Sequence, residues 1–165
     1  MGKRSVFPRL ARDDYPTPAA AIKPLLPFLS DLELILDPCS SAPHALAAAL
    51  EGWGYRTTFL TQESADARTA HYNNFDIFIT NPPWRKDLLE PIIENLSNQG
   101  PVWLLLSADW IHTKQSIRFL PRLQRIVSVG RVKWFPISAH TSLDNVVWCH
   151  FDKHKKGSVF FHGRT

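Results

Sequence analysis

The 165-residue chain has two cysteines, seven glycines and one methionine, and it has no long apolar run. Cys39 and Cys149 are far apart and lack paired metal-ligand spacing, which excludes a disulfide framework and a cysteine-built zinc site. They are expected as reduced thiols packed inside the fold. The longest apolar stretch, Val102 to Leu106 with its flanks, falls far short of the ~20 residues that cross a bilayer, so no membrane partner is expected. Lys3 and Arg4 lead only to Ser5-Val6-Phe7-Pro8 and then to further charges. Without an apolar core behind that basic start, the expected location is cytoplasmic. At 44% hydrophobic and 21% charged residues the chain is too apolar to be disordered. Repeats, low-complexity segments and a convincing linker are all missing.

This length suits one well-buried domain and is short for two, so residues 1–165 are read as a single domain in which any cofactor and substrate share one site. The net charge of +4 gathers at the two ends. Lys3, Arg4, Arg9 and Arg12 form a basic arm over about residues 1–14, and Lys153, Lys155, Lys156 and Arg164 a basic tail over about 152–165. Such clusters can track a phosphate backbone, although basic ends are also common as plain solvated tails.

Strand and helix patterns alternate along the chain. Leu32 to Leu36 reads as a buried strand closed by Asp37-Pro38, Pro43 to Leu50 as a helix ended by Gly52 and Gly54, and Thr57 to Leu60 as a second strand. Phe75 to Thr80 is a strand running into Asn81-Pro82-Pro83-Trp84. A helical Leu88 to Leu96 and a buried strand from Val102 to Leu106 follow. Arg118 to Leu123 is a helix candidate, and Ile126–Val129, Lys133–Phe135 and Val146–Phe151 are strand candidates. This order predicts an α/β fold, a single Rossmann-like domain with a mostly parallel open sheet, whose ligands bind beyond the carboxyl ends of the strands. Asp37-Pro38-Cys39-Ser40 and Asn81-Pro82-Pro83-Trp84 both fall at that edge.

The second of these segments suits chemistry at an exocyclic amino group. The lone pair of such a nitrogen is delocalised into its ring, so a catalyst gains by holding both N–H bonds on acceptors that favour a pyramidal nitrogen. Asn81 can offer its side-chain oxygen and Pro82 its carbonyl, while Pro83 keeps the turn stiff. Trp84 offers a flat face on which an extruded base could stack, worth about 1–3 kcal/mol and comparable with the cost of flipping the base. Asn-Pro-Pro is also ordinary turn chemistry, and it is the placement directly after a buried strand that favours a site.

On these segments the sequence resembles the phage-encoded adenine-specific DNA methyltransferases of the S-adenosylmethionine-dependent amino-methyltransferase superfamily. The likeness is carried by Tyr15-Pro16-Thr17-Pro18, Ile35-Leu36-Asp37-Pro38-Cys39 and Asn81-Pro82-Pro83-Trp84. Leu104-Leu105-Leu106 with Trp110, Gly130 to Pro136, and Asp144 to Trp148 extend it over most of the chain. It implies a cofactor, S-adenosyl-L-methionine, held by Tyr15, Thr17, Pro18, Asp37, Pro38, Cys39, Ser40 and Asn81. It implies catalysis by the tetrapeptide, DNA as partner with RNA as the alternative, and a host cytoplasm. Enzymes that methylate amino groups in RNA or glutamine amides in proteins share the tetrapeptide. The C-terminal likeness favours adenine in DNA.

The chain also departs from that family. Ser40-Ser41-Ala42-Pro43 stands where the family usually has glycines, and Thr61-Gln62-Glu63 where it usually has a ribose-binding acid. Glu63 or Gln62 is the substitute expected for the ribose, and Asp66 for the adenine end of the cofactor. The missing glycines keep a catalytically silent nucleic-acid- or cofactor-binding module as a competing reading. The candidate nucleic-acid contacts are Lys3, Arg4, Arg131, Lys133, Lys153, Lys155 and Lys156 for phosphates, with His140 and Thr141 in a loop over Ser138–Asp144 for base choice. Ile111–Ser116 is a second such loop. His140, His150, His154 and His162 form no ligand pattern, so no metal is expected. Trp103, Trp134 and Trp148 are read as core. The oligomeric state is left open.

Overall fold

The computed structural model describes residues 15–135, 142–155 and 157–164. Its strands are β1 (Leu34–Asp37), β2 (Arg56–Phe59), β3 (Ile77–Thr80), β4 (Val102–Ser107), β5 (Leu123–Arg131), β6 (Asn145–Phe151) and β7 (Phe160–His162). Its α-helices are α1 (Ala19–Ile22), α2 (Ala45–Gly52) and α3 (Lys86–Gln99), with short 3-10 turns between. The strands form one open sheet in the order β2-β1-β3-β4-β6-β5-β7. Pairing is parallel except where β6 runs antiparallel between β4 and β5. None of the described helices is long and apolar enough to cross a membrane.

Period-two alternation divides the inner strands between two cores. Ile35, Ile77, Ile79, Trp103 and Leu105 pack on one face against Ile22, Leu25, Leu46 and Leu50. Leu36, Phe78, Leu104 and Leu106 pack on the other against Leu89, Ile92, Ile93 and Leu96 of α3. Both faces are covered, which is why these strands read as continuous apolar runs rather than as alternating ones. Trp103 and Trp148 are fully buried, and the Trp148 indole N–H donates to the Ala21 carbonyl at 2.8 Å, tying the N-terminal helix to β6. Cys149 is buried in the core, while Cys39 is half-buried, and burial pushes both thiols up and so keeps them protonated.

Several sequence expectations are corrected. The second helix begins at Ala45, not Pro43, behind His44, whose φ of 61° puts a left-handed turn at the N-cap position. It ends through Gly54, at φ 91°, whose N–H donates to the Glu51 carbonyl. Arg118–Leu123 is not an α-helix. Only a 3-10 turn, Leu120–Arg122, forms, because Pro121 has no N–H and disfavours helical backbone at the residue before it. Lys133–Phe135 is not a strand, since β5 ends at Arg131 and the chain then leaves the sheet. The basic tail is not all tail: Phe160–His162 add an edge strand parallel to β5.

β5 carries a register shift between Ser128 and Gly130, and Gly130 sits at φ 88°. A bulge of this kind bends the strand end and favours glycine. A Cβ at this position would also lie 3.1 Å from Arg164 Nη1. Gly130→Ala should therefore cost about 1–2 kcal/mol of stability, the usual penalty for a side chain in left-handed backbone. A denaturant midpoint equal to that of the parent would contradict this.

Candidate active site

The chain order places β2 on one side of β1 and β3 on the other. The sheet therefore changes direction between β1 and β3, and the crevice beyond their carboxyl ends is where open α/β sheets bind ligands. Asp37 ends β1 and Thr80 ends β3. The Thr80 hydroxyl donates to Asp37 Oδ1 at 2.6 Å, and the Cys39 N–H donates to the same oxygen at 3.3 Å. Asp37 thus clamps the two loops that follow, and burial pushes its carboxyl up to about 6 against the lowering effect of these donors.

A cleft of about 380 Å³ opens over these loops, within the range of small-molecule sites. Pro38, Cys39 and Ser40 line it from the β1 loop, Glu63 and Asp66 from the segment after β2, and Asn81 and Pro83 from the β3 loop. Leu88 and Ile92 of α3 supply an apolar wall. A smaller hollow beside it is lined by Tyr15, Thr17, Asp37 and Asn81, and shares Cys39 and Ser40 with the cleft. The cofactor residues read from the sequence therefore converge, with one exception: Pro18 is the N-cap of α1 and lines neither space. Pro82 is buried, so Pro83 is the proline of the pair that faces the cleft.

Asn81 is oriented by the N-terminal segment. Its amide nitrogen donates to the Tyr15 carbonyl at 3.3 Å, which turns Oδ1, the acceptor, away from that contact. Trp84 is fixed too. Because β3 stops at Thr80, opposite Leu104, the Leu105 carbonyl has no ladder partner there, and the Trp84 indole N–H supplies one at 2.9 Å. The Trp84 ring meets Trp134 edge-on at 6.0 Å, and Trp134 tilts against Tyr15 at 5.9 Å. Trp134 is thus half-buried beside the site instead of lying in a core strand, a placement that its apolar neighbours concealed.

His44 was missed by the sequence reading. It lines the cleft, its Nδ1 lies 3.1 Å from Ser40 Oγ, and its ring stacks on Phe59 at 3.9 Å. Its N–H also donates to the Ser41 carbonyl at 2.6 Å. A left-handed histidine thus makes the sharp turn for which a glycine would otherwise be suited; the only signal was its position directly before an alanine-rich helix. Glu63 is exposed at the cleft rim. Asp66 is held bidentately by Arg68, at 2.6 Å for the shortest contact, which lowers its carboxyl below the usual range. A carboxylate so paired still has lone pairs to offer a ligand.

Among the described residues the candidate phosphate contacts do not come together. Lys153 and Lys155 follow Phe151, which pairs with Val102 at the amino end of β4. Ser107, at the carboxyl end of β4, pairs with Val146. The two lysines therefore sit toward the opposite end of the sheet from Asn81, past a strand level already ~10 Å away from it. Lys155 lies 4.0 Å from buried Asp152. Arg131 and Lys133, in contrast, are exposed at the carboxyl end, beside Trp134. Lys3, Arg4, His140, Thr141 and Lys156 lie outside the described residues. The Ile111–Ser116 segment is compact, with the Ser116 hydroxyl donating to the Ile111 and Thr113 carbonyls.

No protein-family model and no curated protein sequence matches this chain. Solved structures do. A dimethyladenosine transferase of Plasmodium falciparum matches with a TM-score of 0.55 at 12% identity, over 85% of this chain and 63% of its own. A protein of Listeria monocytogenes assigned to the class I S-adenosylmethionine-dependent methyltransferases gives 0.56 at 10%, over 88% and 62%. The tRNA (uracil-54, C5)-methyltransferase of Pyrococcus abyssi, in complex with S-adenosyl-L-homocysteine, gives 0.50 at 18%, over 80% and 37%. This chain spans less than two-thirds of each of these proteins. Its fold is the Rossmann-like methyltransferase fold.

Proposed function

We propose that this chain is an S-adenosylmethionine-dependent methyltransferase acting on the exocyclic amino group of adenine in DNA. The observation that carries the reading is the placement of Asn81: it directly follows β3 at the sheet's change of direction, its amide nitrogen is tied to Tyr15, and it lines the cleft. The cleft suits an amphipathic cofactor, with Ser40, Glu63 and Asp66 as polar contacts and Leu88 and Ile92 as an apolar wall. When bound, the cofactor supplies an electrophilic methyl group on a sulfonium.

The chain's own residues do the rest. Asn81 Oδ1 and the Pro82 carbonyl accept the two amino N–H bonds, which localises the nitrogen lone pair toward the methyl. Trp84, fixed at its indole nitrogen by Leu105, supplies the face for the extruded base. Asp37 keeps the two loops in register through Thr80. The loop after β1 turns without glycines, through His44 at φ 61° and its contact to Ser40.

A second reading keeps the chemistry and takes RNA as substrate. RNA as a substrate class is supported by the structural neighbours, among them a methyltransferase named for tRNA, although that name gives a ring carbon as the methyl acceptor. Tritium transfer from labelled cofactor to DNA, RNA and protein separates the substrates. Calorimetry with S-adenosylmethionine or S-adenosylhomocysteine comes first. Saturable heat and a rise in melting temperature at millimolar ligand are expected, and the absence of both favours the silent module.

A further inference from the structure

We infer that Arg131, Lys133 and Arg164 form a cationic rim that grips the phosphate backbone of the DNA substrate, in place of Lys153 and Lys155. The inference rests on the DNA reading above and names the surface that would hold that partner. Arg131 and Lys133 flank buried Val132, so both project outward from the strand end next to Trp134. Arg164 joins them from the far end of the chain. β7 runs parallel to β5, with His162 opposite Val127, so the residues after it rise toward the carboxyl end of the sheet. The Arg164 guanidinium lands over Gly130, where a side chain would stand 3.1 Å from Nη1.

Among the described residues no acid forms an ion pair with this rim. Among those residues Arg131, Lys133 and Arg164 have no acid within 4.0 Å, a property they share with Lys23, Arg56, Lys114, Arg122, Arg125 and Lys153; what sets the three apart is that they stand together at the carboxyl end of the sheet. Asp144, next to the Asn145 that pairs with Arg131, is the neighbouring acid, and it is not ion-paired to them. Holding unpaired cations together costs self-repulsion, which a polyanion relieves while it releases counterions. The rim adjoins Trp134, and through it Trp84 and Tyr15, so a strand held there would present its bases at the aromatic group beside the smaller hollow that Tyr15 lines. Phosphate contacts of this kind set position and leave sequence choice to other groups.

The test uses the full chain and a short fluorescein-labelled DNA duplex, with anisotropy followed across a salt series. The combined R131A, K133A and R164A protein should bind at least about tenfold more weakly. The slope of log affinity against log salt should fall by about 0.9 for each phosphate that the variant no longer neutralises. Lys153→Ala with Lys155→Ala should leave the slope unchanged. An unchanged slope in the rim variant, or an equal loss from the lysine pair, overturns the proposal. A rim-dependent slope with RNA and none with DNA overturns the assignment to DNA. Melting temperature and cofactor heat are read on the same proteins: a folded rim variant that keeps the cofactor shows that the loss is local. A parent that binds no cofactor sinks the transferase reading and leaves the rim to be judged by its slope.

Discussion

Asn81→Ala should reduce methyl transfer by about 10²–10³-fold or more, the usual cost of removing one preorganised polar group from a reacting centre. Affinity for S-adenosylmethionine should change far less. The reason is geometric: Asn81 borders both the cleft and the smaller hollow, but the cleft has many other lining groups, including Ser40, Glu63, Asp66, Leu88 and Ile92. Losing the amide also removes its hydrogen bond to the Tyr15 carbonyl, so a modest fall in melting temperature is expected. Single-turnover transfer and cofactor calorimetry on the same preparation separate the two effects. Near-parental turnover on the best substrate would refute the catalytic assignment. Equal losses in turnover and cofactor affinity would recast Asn81 as a cofactor ligand only.

The second large effect concerns Asp37 and pH. Burial raises its carboxyl from the ordinary 3.8 to about 6. The folded chain therefore holds this proton more tightly than the unfolded chain. The stability that this group contributes is fully present below about pH 4 and is lost as pH rises through about 6. A shift of this size corresponds to about 3 kcal/mol in all. Asp37→Asn retains an oxygen for the Thr80 hydroxyl and the Cys39 N–H, both of which donate to Oδ1, and removes the charge. The stability of the variant relative to the parent should rise from about pH 4 to about pH 7 by up to that amount and then stay level. Denaturant titrations of both proteins across this range provide the comparison, and a difference that does not vary with pH would show that the Asp37 carboxyl is not shifted.

The inner strands could be read from the sequence because their side chains meet the same surroundings all along the element. Ile77 to Thr80 and Val102 to Leu106 are covered on both faces, so composition alone marks them as inner strands. Lys133–Phe135 looked the same and is not a strand, because the bulge at Gly130 turns the chain out of the sheet and sends Trp134 to Tyr15 and Trp84. Phe160–His162 looked like tail and is a strand, because an exposed edge needs only backbone pairing and carries no burial pattern. At the site, Asp37, Ser40 and Asn81 were legible from their place after strands. The role of Thr80 was not, since its hydroxyl acts on a carboxylate 43 positions away.

The sequence by itself determined the α/β alternation and the two polar loops at the carboxyl edge of the sheet, because each depends on neighbours a few positions apart. Only the tertiary structure decided which charges stand beside those loops. β6 runs antiparallel, so Lys153 and Lys155 are carried to the far end of the sheet, while β7 runs parallel to β5 and brings Arg164 to Gly130. Strand direction is set by long-range backbone pairing, and a run of basic residues has the same composition whichever end of the sheet it reaches.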